Sequence, residues 1–155
     1  MKLQASAVVE VAKSREIVWE YCSKVEHVPD YVRGYGPIPG VAKAWNPGGV
    51  PTKLGVVRRL VMTDGVPLDE EITVFEAPRK FAYVLKGFRG AFSLLVSKAE
   101  GQWVFSPLGE GTRISWTFTA HLKSPLVLGI GYPLIKVFMQ RSMEDALANI
   151  RRTLA

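Results

Sequence analysis

The sequence predicts an α+β fold, in which a curved antiparallel sheet is covered on one face by helices, chiefly a long helix at the C-terminus. Three patterns indicate this fold. Apolar residues alternate with mostly polar ones over residues 3–11. Over residues 41–122, apolar residues recur at every second position, and after Pro133 they recur about every 3.6 residues. A run of strands followed by a helix is typical of an α+β domain. A chain of 155 residues suits one domain, which we expect to be residues 1–155.

The N-terminal end predicts a strand and then a short amphipathic helix. Every second residue over 3–11 is apolar, which is typical of a strand with one buried face. Ser14 suits the N-cap of the helix, and apolar residues follow it at helical spacing as far as Val25. Three prolines and three glycines in residues 29–40 leave room for at most one further helical turn before extended structure.

The middle of the chain, residues 41–122, predicts a meander of about five or six antiparallel strands. With the first strand, the sheet would have about six or seven strands. The alternation of apolar and polar residues is broken where Gly or Pro recurs, in places beside Asn or Asp, and such residues favour turns. We expect turns at residues 46–49, 64–65, 77–78, 87–90, 100–101 and 109–111.

The C-terminal helix is predicted to begin after Pro133. Apolar residues recur at helical spacing as far as Leu154, and charged residues occupy the opposite face. Because a single sheet that curls around one helix can enclose apolar space, we expect a concave cavity between them that binds a small ligand.

The segment before this helix, residues 125–132, is almost wholly apolar. We expect it to be a buried connection that closes the end of the sheet, because continuous apolar exposure is rare in soluble monomers. The alternative is an exposed patch that contacts an anionic membrane, with Lys123 and Lys136 beside it.

Composition and charge limit the classes of function. The chain carries 20 Lys and Arg against 14 Asp and Glu, a net charge of +6, which suits nucleic acid or an anionic bilayer. Acidic residues separate the basic clusters, so we expect a solvated surface rather than a nucleic-acid interface. The single cysteine, Cys22, cannot form an internal disulfide, and the first residues lack a secretory signal. We therefore expect a cytoplasmic protein.

Motifs for metals, nucleotides and nucleophilic catalysis are absent from the sequence. His27 and His121 lie far apart without acidic residues at ligand spacing, so we expect no metal site. Residues 48–55 are rich in glycine but lack the Gly-Lys-Ser/Thr order of a phosphate-binding loop. Neither a Gly-x-Ser-x-Gly elbow nor a dinucleotide fingerprint occurs, and we expect no cofactor.

Several short motifs, in order along nearly the whole chain, carry a resemblance to a known family. They are Glu16-Ile-Val-Trp19, Val28-Pro-Asp-Tyr31, Gly55-x-x-Arg58, Asp64-Gly65 followed by Glu70-x-Ile72, Tyr83, Gly111-Thr112-x-x-x-Trp116 and Ala146-Leu-x-Asn149. In these motifs the chain resembles the START-related helix-grip superfamily, and within it the polyketide cyclase/dehydrase and lipid transport (SRPBCC) group. The resemblance implies a helix-grip fold, in which the sheet wraps around the C-terminal helix.

The resemblance implies a range of functions rather than one. The superfamily includes lipid and hormone carriers, quinone-binding proteins, aromatic-polyketide cyclases and ring-hydroxylating oxygenase subunits, which share no catalytic residue set. The oxygenase subunits need two histidines and one carboxylate around iron, a set that this sequence does not offer.

Arg58 and Glu70 are charged residues in otherwise apolar strand faces. A three-residue loop at Asp64-Gly65 would bring them together, whereas a two-residue loop would place Arg59 beside Glu70. We favour the first arrangement, which puts more apolar residues on one face. A charge pair in a cavity costs desolvation free energy, which suggests that it orients a polar ligand group. The alternative is an ion pair at the sheet edge or the mouth of the cavity.

Aromatic and methionine side chains are expected to line the cavity beside this charge pair. Aromatic residues at i and i+2 share one face of a strand, and flexible methionines suit oily ligands of variable shape. Plain core packing is the alternative for most of them. The predicted lining residues are Tyr83, Trp103, Phe105, Trp116, Phe118, Phe138, Met139 and Met143.

The function predicted from the sequence is the binding of a hydrophobic or aromatic small molecule, such as a lipid, a quinone or a polyketide-like compound. Two alternatives stay open. One is a cyclase or dehydratase that acts on an aromatic precursor, in which Tyr83, Glu70 or Arg58 transfers or stabilises a proton. The other is a basic module that binds a membrane or nucleic-acid surface.

Overall fold

A seven-stranded antiparallel sheet curls around a long C-terminal helix in the computed structural model, which describes residues 1–155. The strands are β1 Lys2–Val11, β2 Gly34–Tyr35, β3 Ile38–Pro39, β4 Val41–Trp45, β5 Val57–Met62, β6 Pro67–Glu76, β7 Lys80–Lys86, β8 Val96–Leu108 and β9 Gly111–Leu122. The helices are α1 Arg15–Ser23, α2 Val28–Tyr31, α3 Ala91–Leu95, α4 Leu128–Pro133 and α5 Gln140–Thr153. The strand order is β1-β9-β8-β7-β6-β5-β4, and β2 pairs with β3 in a separate hairpin. The predicted α+β fold is confirmed.

The first strand and helix form as predicted. Apolar residues at alternate positions of β1 are buried or half-buried. The Ser14 hydroxyl accepts a hydrogen bond from the backbone N–H of Ile17 (3.4 Å) and caps α1. On the buried face of α1, the ring of Trp19 lies 5.7 Å from Phe81 and 5.3 Å from Phe105. These edge-to-face contacts anchor α1 to the sheet.

Strand β8 is longer than the sequence predicts, because the turn expected at residues 100–101 does not form. Gly101 lies in mid-strand, opposite Tyr83 of β7. The phenol ring of Tyr83 lies directly over Gly101, so a Cβ atom at this position would overlap the ring. The glycine therefore marks a close approach of a neighbouring side chain rather than a turn.

The C-terminal helix begins earlier than predicted, before Pro133. A 3-10 turn at Pro125–Val127 leads into α4, then into a π-helical turn at Leu134–Met139, and then into α5. Pro133 has no N–H to offer the carbonyl one turn back, which belongs to Gly129. Gly129 is exposed, so water can hydrate that carbonyl and the helix continues.

Residues 125–132 are not the buried connection that we expect from the sequence. They form the first turns of the C-terminal helix, and only one side packs inward, where Gly131 lies against Leu122. On the outer side, Leu126 is 94% exposed and Ile130 is 65% exposed. The segment therefore presents an apolar face to the outside. None of the helices combines the length and the apolar content that crossing a bilayer requires.

Gln140, the first residue of α5, holds the helix against the open edge of the sheet. Its Oε1 accepts a hydrogen bond from the backbone N–H of Ser6 in β1 (2.9 Å), and its Nε2 donates to the carbonyl oxygen of Ser6. The side-chain amide thus makes the two bonds that a further strand would make. This contact protects part of an edge strand that would otherwise be open to pairing.

Gly101 should be sensitive to substitution, and the exposed Gly129 provides a control. Gly101→Ala pushes a methyl group into the Tyr83 ring, so we expect the free energy of unfolding to fall by about 1–3 kcal/mol. Gly129→Ala adds a methyl group to a helix at a point where no atom beyond the local helix backbone lies within 4 Å, and we expect the free energy of unfolding to rise by up to about 1 kcal/mol. Urea denaturation followed by circular dichroism measures both changes. A Gly101→Ala protein as stable as the wild type would contradict this account of β8.

Candidate functional site

An ion pair between Arg58 and Glu70 forms a polar centre on the concave face of the sheet. The β5–β6 hairpin closes through a three-residue loop, residues 63–65, in which Gly65 has a φ of 86°. This loop places Arg58 directly opposite Glu70 and leaves Arg59 on the outer face. The structure thus has the loop length that we favour from the sequence, since a G1-type turn suits a glycine at the positive-φ position.

The ion pair is shielded from water, and one of its hydrogen-bond donors has no partner. Arg58 is 2% exposed and Glu70 is 5% exposed. Arg58 Nε donates to Glu70 Oε1 at 2.6 Å, and Nη2 donates to the same oxygen. Arg58 Nη1 is buried without a hydrogen-bond partner. Leaving such a donor unpaired costs about 1–3 kcal/mol, so an acceptor oxygen placed beside Nη1 would be stabilised.

Burial and the ion pair act in opposite directions on the pKa of Arg58. Loss of water lowers this pKa, but the negative charge of Glu70 and its hydrogen bonds raise it by more. The net effect is a raised pKa, so the guanidinium stays charged and keeps all its N–H groups. The group is therefore a permanent hydrogen-bond donor, and it cannot serve as a base.

Two buried phenols, Tyr31 and Tyr83, adjoin the ion pair. Tyr31 in α2 donates its hydroxyl proton to the carbonyl oxygen of Cys22 (3.0 Å). The hydroxyl oxygen of Tyr83 accepts a hydrogen bond from Nε1 of Trp116 (3.2 Å). Burial raises the pKa of both phenols, so both stay protonated at neutral pH. Tyr83 can therefore donate a hydrogen bond, because only its oxygen is used by Trp116.

Two of the aromatic residues predicted from the sequence, Trp103 and Trp116, form a continuous stack with Phe81. The rings of Trp103 and Trp116 are stacked with centroids 4.6 Å apart, and Phe81 stacks on Trp103 at 5.5 Å. Phe105 lies at the Trp19 side of this stack, where it is part of the packed core beneath α1. The buried members of the predicted set are Tyr83, Trp103, Phe105, Trp116, Phe118 and Met143.

The other two predicted residues, Phe138 and Met139, are half-buried in the π-helical turn. The ring of Phe138 packs against the β2–β3 hairpin, where a Cβ atom at Gly36 would lie 2.9 Å from Cδ1 of Phe138. Its other neighbour is Tyr35, with ring centroids 6.3 Å apart. Met139 packs against the apolar core. The contacts of the Phe138 ring are therefore with the β2–β3 hairpin.

Sequence reasoning missed Tyr31 as a site residue. Its ring lies 5.8 Å from that of Trp103, and its hydroxyl is buried close to the charges of Arg58 and Glu70. A single helical turn is too short to show the periodicity from which a buried face is assigned. The available signal is the Val28-Pro-Asp-Tyr31 motif, because it is one of the motifs in which the chain resembles the helix-grip superfamily.

Two surface grooves have linings that include neither Arg58 nor Glu70. A groove of about 510 Å³ runs between α1 and the C-terminus and includes His27, which stacks on Tyr21 at 4.3 Å. A second groove, of about 470 Å³, lies on the outer face of the sheet. His121 lies 3.5 Å from Glu100. Nowhere do three His, Cys, Asp or Glu side chains converge as metal ligands.

Comparison with known proteins agrees with the architecture described above. A family model described as polyketide cyclase / dehydrase and lipid transport matches residues 2–155. No curated protein matches the chain.

Solved structures with the same fold share little sequence with the chain. A START superfamily protein from Mycobacterium smegmatis is 18% identical, with coverage of 97% of this chain and 96% of that one and a TM-score of 0.70. A protein from Thermus thermophilus is 20% identical, with coverage of 98% and 97% and a TM-score of 0.70. Norcoclaurine synthase from Thalictrum flavum, in complex with dopamine and hydroxybenzaldehyde, is 19% identical, with coverage of 99% and 86% and a TM-score of 0.68.

Arg58 and its neighbour Arg59 should differ sharply in their effect on stability. Arg58→Gln leaves the Glu70 charge buried without its partner, and we expect a loss of about 3–5 kcal/mol in the free energy of unfolding. Arg59→Gln breaks only an exposed pair with Asp69 (2.9 Å), and we expect a loss below about 1 kcal/mol. Urea denaturation of the two variants measures the difference. Equal losses would show that the Arg58 pair is not desolvated.

Proposed function

This chain belongs to the polyketide cyclase / dehydrase and lipid transport family, and on that premise we propose that it binds a hydrophobic or aromatic small molecule between the sheet and the C-terminal helix. The ligand carries a carbonyl or carboxylate oxygen that hydrogen-bonds to Arg58. A lipid, a quinone or a polyketide-like compound has this chemistry. The protein acts as a carrier or binding protein for it.

The observation that carries this proposal is the unpaired Nη1 of Arg58. The guanidinium is buried, charged and held in place through its other two nitrogens by Glu70. Because Glu70 occupies those two nitrogens, Nη1 is the guanidinium nitrogen that is left free for an oxygen acceptor of a ligand. Because the charge of Glu70 balances that of Arg58, a neutral carbonyl is as suitable as a carboxylate.

The aromatic stack beside the ion pair supports an aromatic or oily ligand body. Trp103 and Trp116 are large, mutually stacked apolar rings, buried next to the hydroxyl of Tyr83. Burial of apolar ligand surface contributes about 25 cal/mol per Å², so the body of the ligand supplies most of the affinity. The hydrogen bonds from Arg58 and Tyr83 then select its orientation.

A matched pair of probes tests whether Nη1 of Arg58 donates a hydrogen bond to the ligand. Acetylnaphthalene is an aromatic ketone, and ethylnaphthalene is the hydrocarbon of the same shape without the carbonyl oxygen. Quenching of the tryptophan fluorescence measures the binding of each probe, because two of the four tryptophans, Trp103 and Trp116, belong to the proposed site. We expect the ketone to bind more tightly to the wild type, because only the ketone satisfies Nη1.

The informative variant is Arg58→Lys, which keeps a positive charge beside Glu70 but removes the free amino group. We expect its affinity for acetylnaphthalene to fall more than tenfold, while its affinity for ethylnaphthalene stays within about threefold, since one lost hydrogen bond to a charged donor is worth about 1.5–3 kcal/mol. Arg59→Lys is the matched control and should leave both affinities unchanged. Equal affinity of Arg58→Lys and the wild type for the ketone would remove Arg58 from the site.

A second candidate is a cyclase or dehydratase in the same place, and the hydroxyl of Tyr83 favours it. Burial keeps this phenol protonated, so it can donate a proton or a hydrogen bond to a substrate oxygen but cannot remove a proton. The similarity to norcoclaurine synthase, whose structure holds dopamine and hydroxybenzaldehyde, supports an aromatic substrate. Turnover of a reactive poly-ketone would establish this activity, and Tyr83→Phe should then lower kcat more than KM. No acceleration over buffer with several poly-ketones would contradict it.

Nucleic-acid binding has less support from the surface charges. On the outer face of the sheet, Arg59 pairs with Asp69 and Lys86 pairs with Glu71, each at 2.9 Å. Phosphate binding needs clustered and unpaired basic side chains. These pairs neutralise Arg59 and Lys86, two of the basic residues that a phosphate backbone would need.

A further inference from the structure

We infer that the outer side of the first half of the C-terminal helix, together with α3, docks on an anionic lipid bilayer. The inference rests on surface features alone and does not depend on the proposed ligand. It concerns an apolar stripe, formed by Leu126, Ile130, Pro133 and Val137, and the three basic residues around it.

The apolar stripe faces outward along almost three turns of helix. Leu126 is 94% exposed, Ile130 is 65% exposed and Val137 is 55% exposed, and Pro133 between them is also exposed. Residues spaced by three or four lie on one side of a helix. Exposed leucines and isoleucines are ordinary when they are scattered, but a continuous row of them marks a contact surface.

Helix α3 extends this apolar surface at the start of the C-terminal helix. Leu94 in α3 is 71% exposed. The backbone N–H of Lys123 donates to the carbonyl oxygen of Leu95 (2.9 Å), which ties α3 to the residues that lead into the helix. The most exposed side chains of the two segments, Leu94 and Leu126, therefore lie at the same end of the sheet.

The charges around the apolar surface fit an anionic partner. Arg89, Lys123 and Lys136 are exposed, and none of them forms an ion pair. Residues 87–98 and 123–143 contain no Asp or Glu. In the sheet, by comparison, Arg59, Lys86 and Arg113 each have an acidic partner within the chain. Apolar side chains surrounded by free cations are the pattern of helices that lie in the interface of anionic bilayers.

A second copy of this chain fits the surface less well than a bilayer does. Two-fold pairing would bring the same patch of both copies together, and the unpaired cations of one copy would face those of the other. Like charges at an interface cost free energy, whereas anionic headgroups neutralise these cations. Because no helix here can cross a bilayer, the contact is one of surface docking.

Vesicle flotation tests this inference. We expect the wild type to float with vesicles of equal parts phosphatidylglycerol and phosphatidylcholine, and not with vesicles of phosphatidylcholine alone. In the double variant Leu126→Glu/Ile130→Glu, the bound fraction on the anionic vesicles should fall more than tenfold. Lys123→Glu/Lys136→Glu should also reduce binding, because it replaces attraction to the headgroups by repulsion.

The matched control changes equally exposed apolar residues on other surfaces. Val8 is 60% exposed and Leu54 is 64% exposed, so Val8→Glu/Leu54→Glu carries the same charge change and should bind as the wild type does. Protection of the buried Cys22 from a thiol reagent shows that each variant is folded. Unchanged binding of acetylnaphthalene by the stripe variant would separate this surface from the ligand site.

Three results would overturn the inference. The wild type fails to float with the anionic vesicles. The control variant loses binding as completely as the stripe variant does. Alternatively, sedimentation equilibrium shows that the wild type is a dimer and the stripe variant a monomer, in which case the surface is an interface between copies of the chain.

Discussion

The buried ion pair of Arg58 and Glu70 is the interaction on which the concave face of this protein depends. Two charges removed from water lose several kcal/mol of hydration each, which their attraction only partly restores. Hydrophobic residues of the same size would serve stability as well. A pair that also leaves Nη1 without an acceptor is better explained as a device for orienting a ligand. Its position follows from the hairpin loop, since the register of β5 and β6 decides that Arg58 points inward and Arg59 outward.

The C-terminal helix takes part in both proposals, ligand binding and docking on a bilayer, because its inner and outer sides have different contacts. Its inner side packs on the sheet, with Met143 fully buried and Gln140 bonded to the backbone of β1. Its outer side, in the first half of the helix, carries Leu126 and Ile130 into solvent. The π-helical turn lies between the exposed first half and the packed second half. One continuous element therefore borders both the proposed ligand site and the surface proposed to meet a bilayer.

The parts of this structure that could be predicted from the sequence are those set by local periodicity and turn chemistry. The alternation in β1, the Ser14 cap and the loop at Gly65 each depend on neighbouring residues. The errors arise where a distant contact decides. Gly101 predicts a turn, because glycine is common in turns. In the structure it lies inside a strand, where the ring of Tyr83 on the neighbouring strand leaves no room for a Cβ atom. The C-terminal helix is predicted to begin only after Pro133, but Gly129 is exposed, so water can hydrate the carbonyl that Pro133 leaves unpaired and the helix begins earlier.

The candidate site shows the same division. Tyr83, Trp103 and Trp116 could be assigned to one face because strands have a period of two. Phe138 could not, since its partner is the β2–β3 hairpin, which has only two residues in each strand and no detectable pattern. Residues 125–132 are predicted to be buried because apolar segments usually are. Their exposure breaks that rule, and such departures are typical of functional surfaces.

Native mass spectrometry of the freshly purified protein, followed by solvent extraction and identification of any companion, tests the central claim most directly. The account predicts one apolar molecule with a carbonyl or carboxylate oxygen for each chain of 17.2 kDa. The same preparation of Arg58→Lys should carry much less of it, while Arg59→Lys should carry as much as the wild type. A wild-type protein that arrives empty, and stays empty after incubation with aromatic ketones and fatty acids, would contradict the claim that this fold holds a ligand at Arg58.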